Sequence, residues 1–139
     1  MKLGNKMSLT KCRSLLDHYS AAHPPAFIRT GDSADKTELL ELMTGNMAIG
    51  FMEDSSFKEA SLSLKKFNQL TVYSDGVYEI EKTNGEMVTL NEYTEIMQSL
   101  SDVKVTHIDS ILETMKKLQA TEGAFEDDFS LLQMNIHSA

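Results

Sequence analysis

The chain has 139 residues, 41% of them hydrophobic and 24% charged, with a formal net charge of −8. That is enough chain for a single domain with a buried core, and its acidic balance argues against nucleic acid, which needs a basic surface. Cys12 is the only cysteine, so no intramolecular disulfide is possible; no apolar run approaches the roughly 18 residues of a membrane span, and Met1-Lys2-Leu3-Gly4-Asn5-Lys6 is not followed by the apolar stretch of a signal peptide. A cytoplasmic protein with no membrane contact in this segment is the expectation.

In chain order, Met7 to Tyr19 offers two short extended segments around a polar Lys11-Cys12-Arg13-Ser14 turn. Ala22-His23-Pro24-Pro25 is rigid and non-helical, because proline fixes φ and restricts the residue before it. Ala26-Phe27-Ile28-Arg29 reads as a strand that Thr30-Gly31-Asp32-Ser33 breaks. Glu38 to Met43 reads as a strand, with helix as the alternative, and Asn46-Met47-Ala48-Ile49 as a short buried loop or strand between Gly45 and Gly50. Ala60, Leu62 and Leu64 alternate with Glu59, Ser61 and Ser63, the pattern of a half-buried strand.

Leu70-Thr71-Val72-Tyr73-Ser74 is the next strand, and it ends at Asp75-Gly76. Thr83-Asn84-Gly85-Glu86 carries an Asn-Gly turn signal. Leu90, Tyr93, Ile96, Met97 and Leu100 fall at helical spacing, as do Ile108, Ile111, Leu112, Met115 and Leu118, with Thr106 placed to cap the second helix. Glu126-Asp127-Asp128 then leads into a last strand over 129–136, with period two in Leu132, Met134 and Ile136. Strands near 15–20, 26–29, 57–64, 69–74 and 129–136 with helices near 90–101 and 106–119 make an α+β protein. The opening residues read as a mid-sheet strand, so 1–139 is expected to be a single, incomplete domain.

Two strands that each deliver a carboxylate at a tip can build a site for a hard divalent cation, which prefers oxygen ligands. Asp75 and Asp127 are those carboxylates. Asp-Gly is also a common turn dipeptide, and by itself the pair reads as a turn. Glu79, four residues beyond Asp75, can orient a water or simply be an exposed charge. His18 and His23 do not have zinc spacing; His23, ahead of two prolines, fixes a loop, and His107 and His137 read as surface residues. The nine methionines mostly fall at apolar positions and read as core filler.

Ala21-Ala22-His23-Pro24-Pro25, Gly45 to Gly50, Tyr73-Ser74-Asp75-Gly76 with Glu79, and Asp127-Asp128-Phe129-Ser130-Leu131-Leu132 stand in an order that resembles the C-terminal half of PPM-type metal-dependent protein serine/threonine phosphatases, in the bacterial branch typified by stage II sporulation protein E. The resemblance runs over residues 15–136. It implies a PPM-phosphatase-like antiparallel β-sandwich, of which this is the C-terminal portion, with helices on one face. It also implies hydrolysis of phosphoserine or phosphothreonine with two Mn2+ or Mg2+ ions, which activate a bridging water for in-line displacement.

By the resemblance, Asp75 and Asp127 are metal ligands with carboxylates roughly 4–7 Å apart, consistent with a metal–metal spacing of about 3.5–4 Å. Asp128 is an accessory carboxylate, Gly76 lets the backbone approach a metal-bound water, and no catalytic residue is implied beyond the metal ligands. The implied substrate is a phosphorylated regulatory protein of the kind used in sigma-factor partner switching.

The chain departs from the family pattern in three places. Ala22 stands where the family has Gly, so the bend before His23 is expected to be made differently. Lys66-Phe67-Asn68 replaces Pro-Gly-Asp. The family's early Gly-Asp metal motif has no equivalent before Ala21, and Gly31-Asp32 comes too late to be it. Three readings follow: half of a phosphatase, inactive by itself; a catalytically inactive phosphatase-like binding module; or an unrelated acidic domain in which both aspartates merely end strands. The half-domain reading also predicts exposed apolar surface and association into a homodimer.

Overall fold

The computed structural model describes residues 15–18, 20–53, 56–101, 108–120, 125 and 127–136. The extended segment proposed before Leu15, Cys12, Thr106, Glu126, His107 and His137 lie outside the described residues. Six strands and two helices are present among those described: β1 Leu15–His18, β2 Ala26–Ser33, β3 Lys36–Leu42, β4 Ala60–Ser63, β5 Phe67–Tyr73, α1 Leu90–Ser101, α2 Ile108–Leu118 and β6 Leu131–Ile136. The strands form a four-stranded antiparallel sheet, ordered β3-β2-β5-β6, and a separate antiparallel pair, β1-β4. No described strand pair is parallel, as expected for a sandwich and unlike a sheet wound by crossover helices.

One sequence expectation fails at Gly31. The strand is not broken there: β2 runs on to Ser33 and turns tightly into β3, with a register shift between Gly31 and Ser33. A Cβ on Gly31 would collide with the Lys36 carbonyl oxygen, so the glycine serves close approach inside the hairpin. The 36–42 segment is strand, not helix.

The pairing register separates the two faces of the large sheet. Phe27 lies opposite Glu41 and Thr71, and Tyr73 opposite Leu131, so these share one face with Arg29 and Gln69. Both helices pack there: Phe27, Tyr73, Val77, Ile80, Val88, Tyr93, Met97, Ile111 and Met115 form one buried cluster. Its centre is aromatic. Phe27 stacks on Tyr73 at 5.7 Å and 11°, and Tyr93 meets Tyr73 edge-on at 4.8 Å and 61°. Burial pushes the Tyr73 and Tyr93 phenols well above the ordinary value, and neither hydroxyl finds a hydrogen-bond partner among the described residues.

Helix α1 begins with a reciprocal cap that the sequence reading passed over. Thr89 Oγ1 accepts from the Glu92 N–H at 3.2 Å, and the Thr89 N–H donates to Glu92 Oε2 at 2.8 Å. Lys82 Nζ ties the other Glu92 oxygen at 2.8 Å. The Asn-Gly turn at 83–86 is formed and closed by Lys82 N–H to Glu86 carbonyl and Gly85 N–H to Lys82 carbonyl, each 2.8 Å.

The second face of the sheet looks toward the β1-β4 pair. A cavity of about 830 Å3 lies between them, lined by Leu16, His18, Ala26, Leu42, Leu70 and Val72 among others. Leu132 and Met134, which carry the period-two signal of the last strand, lie on this face at 58% and 48% exposure. The inward residue of β6 toward the helices is instead Leu131. The 46–49 segment is not buried either: Met47 is 47% and Ile49 82% exposed. These positions correct the reading of those methionines as core filler.

Candidate metal centre

Strand β5 delivers Asp75 onto a short 3-10 turn, Asp75–Val77, instead of a hairpin. The Asp75 carbonyl accepts the N–H groups of Tyr78 and Glu79, each at 2.9 Å, and its Oδ1 accepts the Gly76 N–H at 3.0 Å. The turn therefore closes on Asp75 itself, and the carboxylate stays exposed at the tip. Gly76 is buried without a left-handed backbone. A Cβ there would lie 2.7 Å from the Asp128 carbonyl oxygen and 3.3 Å from the Asp127 carbonyl carbon. Gly76 lies within that turn, and its lack of a side chain also leaves room for contact between the two acidic tips.

The second tip is held by apolar anchors on both sides. The rings of Phe125 and Phe129 stack at 4.3 Å and 21°, and both pack on the helix-side core. Asp127 and Asp128 lie between them, exposed. Asp127 Oδ1 accepts the Asp128 N–H at 2.7 Å. Ser74 joins the tips: its Oγ–H donates to the Asp128 carbonyl at 2.7 Å, its Oγ accepts the Ser130 N–H at 3.0 Å, and its N–H donates to the Ser130 carbonyl at 2.9 Å. In the sequence, the signal for Ser74 is a hydroxyl residue directly before the Asp-Gly.

Glu79 is exposed, one residue from Tyr78. The Tyr78 phenol is raised, first by burial and then by the charges of Glu79 and Asp75, which marks this end of the sheet as electronegative. His23 is exposed, and its Nδ1–H donates to the Pro24 carbonyl at 2.8 Å, the contact of a ring that shapes its own loop. It also lines a groove of about 520 Å3 together with Ser74, Phe129 and Ser130, which places the His-Pro-Pro loop beside the acidic tips.

The bend before His23 is made by Ala22 at φ 54°. Alanine adopts the left-handed conformation that glycine would take freely. A polar staple holds it there. The Ala22 N–H donates to the Asn46 carbonyl at 3.1 Å, and Asn46 is itself fixed by Thr44 Oγ1 at 2.8 Å and by the backbone of Lys58 at 2.7 and 2.8 Å. Asn68, in the altered Lys66-Phe67-Asn68 segment, is 1% exposed. Its amide accepts from Thr30 Oγ1 and the Lys65 N–H and donates to the Lys65 and Ile136 carbonyls, at 2.8 to 3.1 Å.

The donors at the tips are carboxylates, the right chemistry for Mn2+ or Mg2+, and the space that a Cβ would occupy at Gly76 lets their backbones meet. Among the described residues, no group of three or more histidine, cysteine, aspartate or glutamate side chains gathers to hold a metal ion.

Comparison with known proteins bears on the fold and the family. The model of the family "Stage II sporulation protein E (SpoIIE)" matches residues 9–137. No curated protein matches significantly. Among solved structures, the phosphatase domain of the cell fate determinant SpoIIE from Bacillus subtilis, in a crystal form without domain swapping, superimposes with a TM-score of 0.61 at 19% identity, covering 91% of this chain and 53% of that one. The PP2C phosphatase domain with a fragment of the regulatory domain, from the same protein, gives a TM-score of 0.58 at 19% identity, covering 91% of this chain and 36% of that one. A Mn-presoaked form of the phosphatase domain gives 0.56 at 20%, covering 91% and 57%. The chain thus spans between about a third and three fifths of the structures it resembles, and the likeness establishes a PP2C-type phosphatase fold. With nearly its whole length matched by the family model, this chain belongs to the stage II sporulation protein E family of PP2C-type phosphatases.

Proposed function

We propose that this chain is the C-terminal part of a metal-dependent protein serine/threonine phosphatase, with Asp75 and Asp127 as its metal ligands and Asp128 as an accessory carboxylate. The observation that carries the reading is the contact of the Asp75-Gly76 tip with the Asp127-Asp128 backbone, 2.7 Å from a Cβ placed on Gly76 to the Asp128 carbonyl oxygen. Two unrelated turn aspartates would have no need of a glycine kept for that approach.

A bound Mn2+ or Mg2+ pair supplies a nucleophilic water at neutral pH and charge stabilisation for phosphoryl oxygens. The protein's own contribution is to hold carboxylates at the tips of two hydrogen-bonded strands, with one Asp127 oxygen and one Asp75 oxygen already oriented by the next residue's N–H. Glu79 adds negative charge nearby, and the His23 loop forms one wall of the adjoining groove. The substrate in this reading is a phosphoserine or phosphothreonine on a cytoplasmic regulatory protein of the sigma-factor partner-switching kind. The remaining ligands come from a segment bearing the family's Gly-Asp motif.

Hydrolysis of a phosphoserine peptide with Mn2+ tests the proposal. The 139-residue chain alone should show little or no turnover. A chain joined to the family's Gly-Asp-bearing segment should be active, and Asp75→Ala or Asp127→Ala within it should abolish turnover. Full activity in the joined Asp75→Ala variant would reduce this aspartate to a turn residue. A second reading, an inactive phosphatase-like binding module, draws on the lack of a three-residue ligand group among the described residues. Phosphopeptide binding by the joined chain with no hydrolysis at any Mn2+ concentration would favour it.

A further inference from the structure

Ser74 carries no carboxylate, yet it is the residue through which the two acidic tips are fastened. The regular β5-β6 pairing ends at Tyr73 opposite Leu131. Beyond it, Ser74 adds one backbone bond, N–H to the Ser130 carbonyl at 2.9 Å. Its hydroxyl adds two more, donating to the Asp128 carbonyl at 2.7 Å and accepting the Ser130 N–H at 3.0 Å. The hydroxyl thus grips the segment on both sides of Phe129, immediately after Asp127, while its own backbone leads directly into Asp75.

From this geometry we infer that Ser74 is a positioning residue: its hydroxyl holds the Asp127–Ser130 segment against the Asp75 tip and so sets the affinity of the pair for a divalent cation. The inference rests on the metal reading proposed above. Without the hydroxyl, the Asp128 carbonyl and the Ser130 N–H turn to water, which half-burial at this position allows, and the loop loosens without unfolding the domain. Ser74 has extended backbone, φ −80° and ψ 163°, which β-branched residues adopt readily. Ser74→Val and Ser74→Thr therefore share a shape and differ in the hydroxyl alone.

The test uses this chain joined to the family's Gly-Asp-bearing segment, with Mn2+ as the probe. Broadening of the Gly76 and Asp128 amide resonances on Mn2+ titration reads affinity, and amide exchange at Ser130 reads the fastening without metal. Ser74→Val should weaken Mn2+ binding by about tenfold, the lower end of what loss of a residue supporting a metal ligand costs, and should speed Ser130 exchange while α2 amides keep their rates. Ser74→Thr should restore both to wild-type values. A purely structural role would lower the melting temperature and leave Mn2+ affinity of the folded chain unchanged.

Asp75→Asn separates the possible failures. If it loses Mn2+ binding while Ser74→Val does not, or if Ser130 exchange is the same in Ser74→Val as in wild type, the positioning role is overturned alone. If wild type shows no Mn2+-dependent broadening, or Asp75→Asn broadens like wild type, the metal reading falls and takes this inference with it.

Discussion

The two faces of the four-stranded sheet come from the same strands, one residue apart, and differ in how they are covered. Toward the helices, Phe27, Tyr73, Tyr93, Met97, Ile111 and Met115 are at most 2% exposed. Toward the β1-β4 pair, Leu132 and Met134 are about half exposed and a large cavity remains. The helix side is a finished core; the other side carries the same alternation of apolar residues with less to bury it. Because the stability gained from an apolar side chain follows the area it removes from water, equal truncations on the two faces should cost very different amounts.

The sharpest test of that contrast is truncation on each face. Tyr93→Ala should cost about 3–5 kcal/mol of unfolding free energy, the range for large aromatic truncations in a core. Leu132→Ala should stay within about 0.5 kcal/mol, as for exposed positions. Comparable losses in urea titrations would show that the cavity face is as well packed as the helix face. On the same logic, Leu132→Ser with Met134→Ser should reduce dye binding and self-association in sedimentation with little change in unfolding. Self-association that persists in this double variant would place the contact surface elsewhere.

Next in size is the contact between the tips. Gly76→Ala drives a methyl into the Asp128 carbonyl and should cost about 1–3 kcal/mol by overpacking. An unchanged melting temperature would mean that the tips part easily. Smaller again is Ala22→Gly, which relieves a left-handed alanine and should stabilise by about 1 kcal/mol. A destabilised variant would show that the bend is held without strain.

The last prediction concerns acid. The hydrogen bond from Lys82 and then that from the Thr89 N–H hold Glu92 down at about 2, against an ordinary 4.5. A depressed carboxylate contributes stability that is fully present above its unfolded value and is lost as pH falls through the folded one. Unfolding free energy should therefore drop between pH 4.5 and 2 more steeply in wild type than in Glu92→Gln. Parallel pH profiles for the two would show that the cap and ion pair, both exposed to solvent, are too screened to matter.

Much of this is legible in the sequence. Helical spacing from Leu90 to Leu100 and from Ile108 to Leu118 found both helices, because an amphipathic helix must repeat its apolar face every three to four residues whatever it packs against. Alternation found β4 and β6, and the order of the His-Pro-Pro, Asp-Gly and Asp-Asp motifs carried the family. Local chemistry was less readable. Gly31 looked like a breaker because glycine's commonest local use is a turn, yet it serves a close approach to Lys36, a neighbour defined by pairing. Thr89 and Glu92 formed a capping signature that the sequence displays and the apolar pattern overshadowed.

What the sequence by itself determined is therefore the kind of each element and the presence of two acidic strand ends, since both depend on residues near one another along the chain. Which face of β6 is buried was decided only by register: a period-two pattern is the same whether Leu131 or Leu132 points inward, and pairing with Tyr73 and the helices selected Leu131. The meeting of Asp75-Gly76 with Asp127-Asp128, and the role of Ser74 between them, belongs wholly to the tertiary structure. Residues more than fifty positions apart meet only because β5 and β6 are neighbours in the sheet, and no local preference encodes that adjacency.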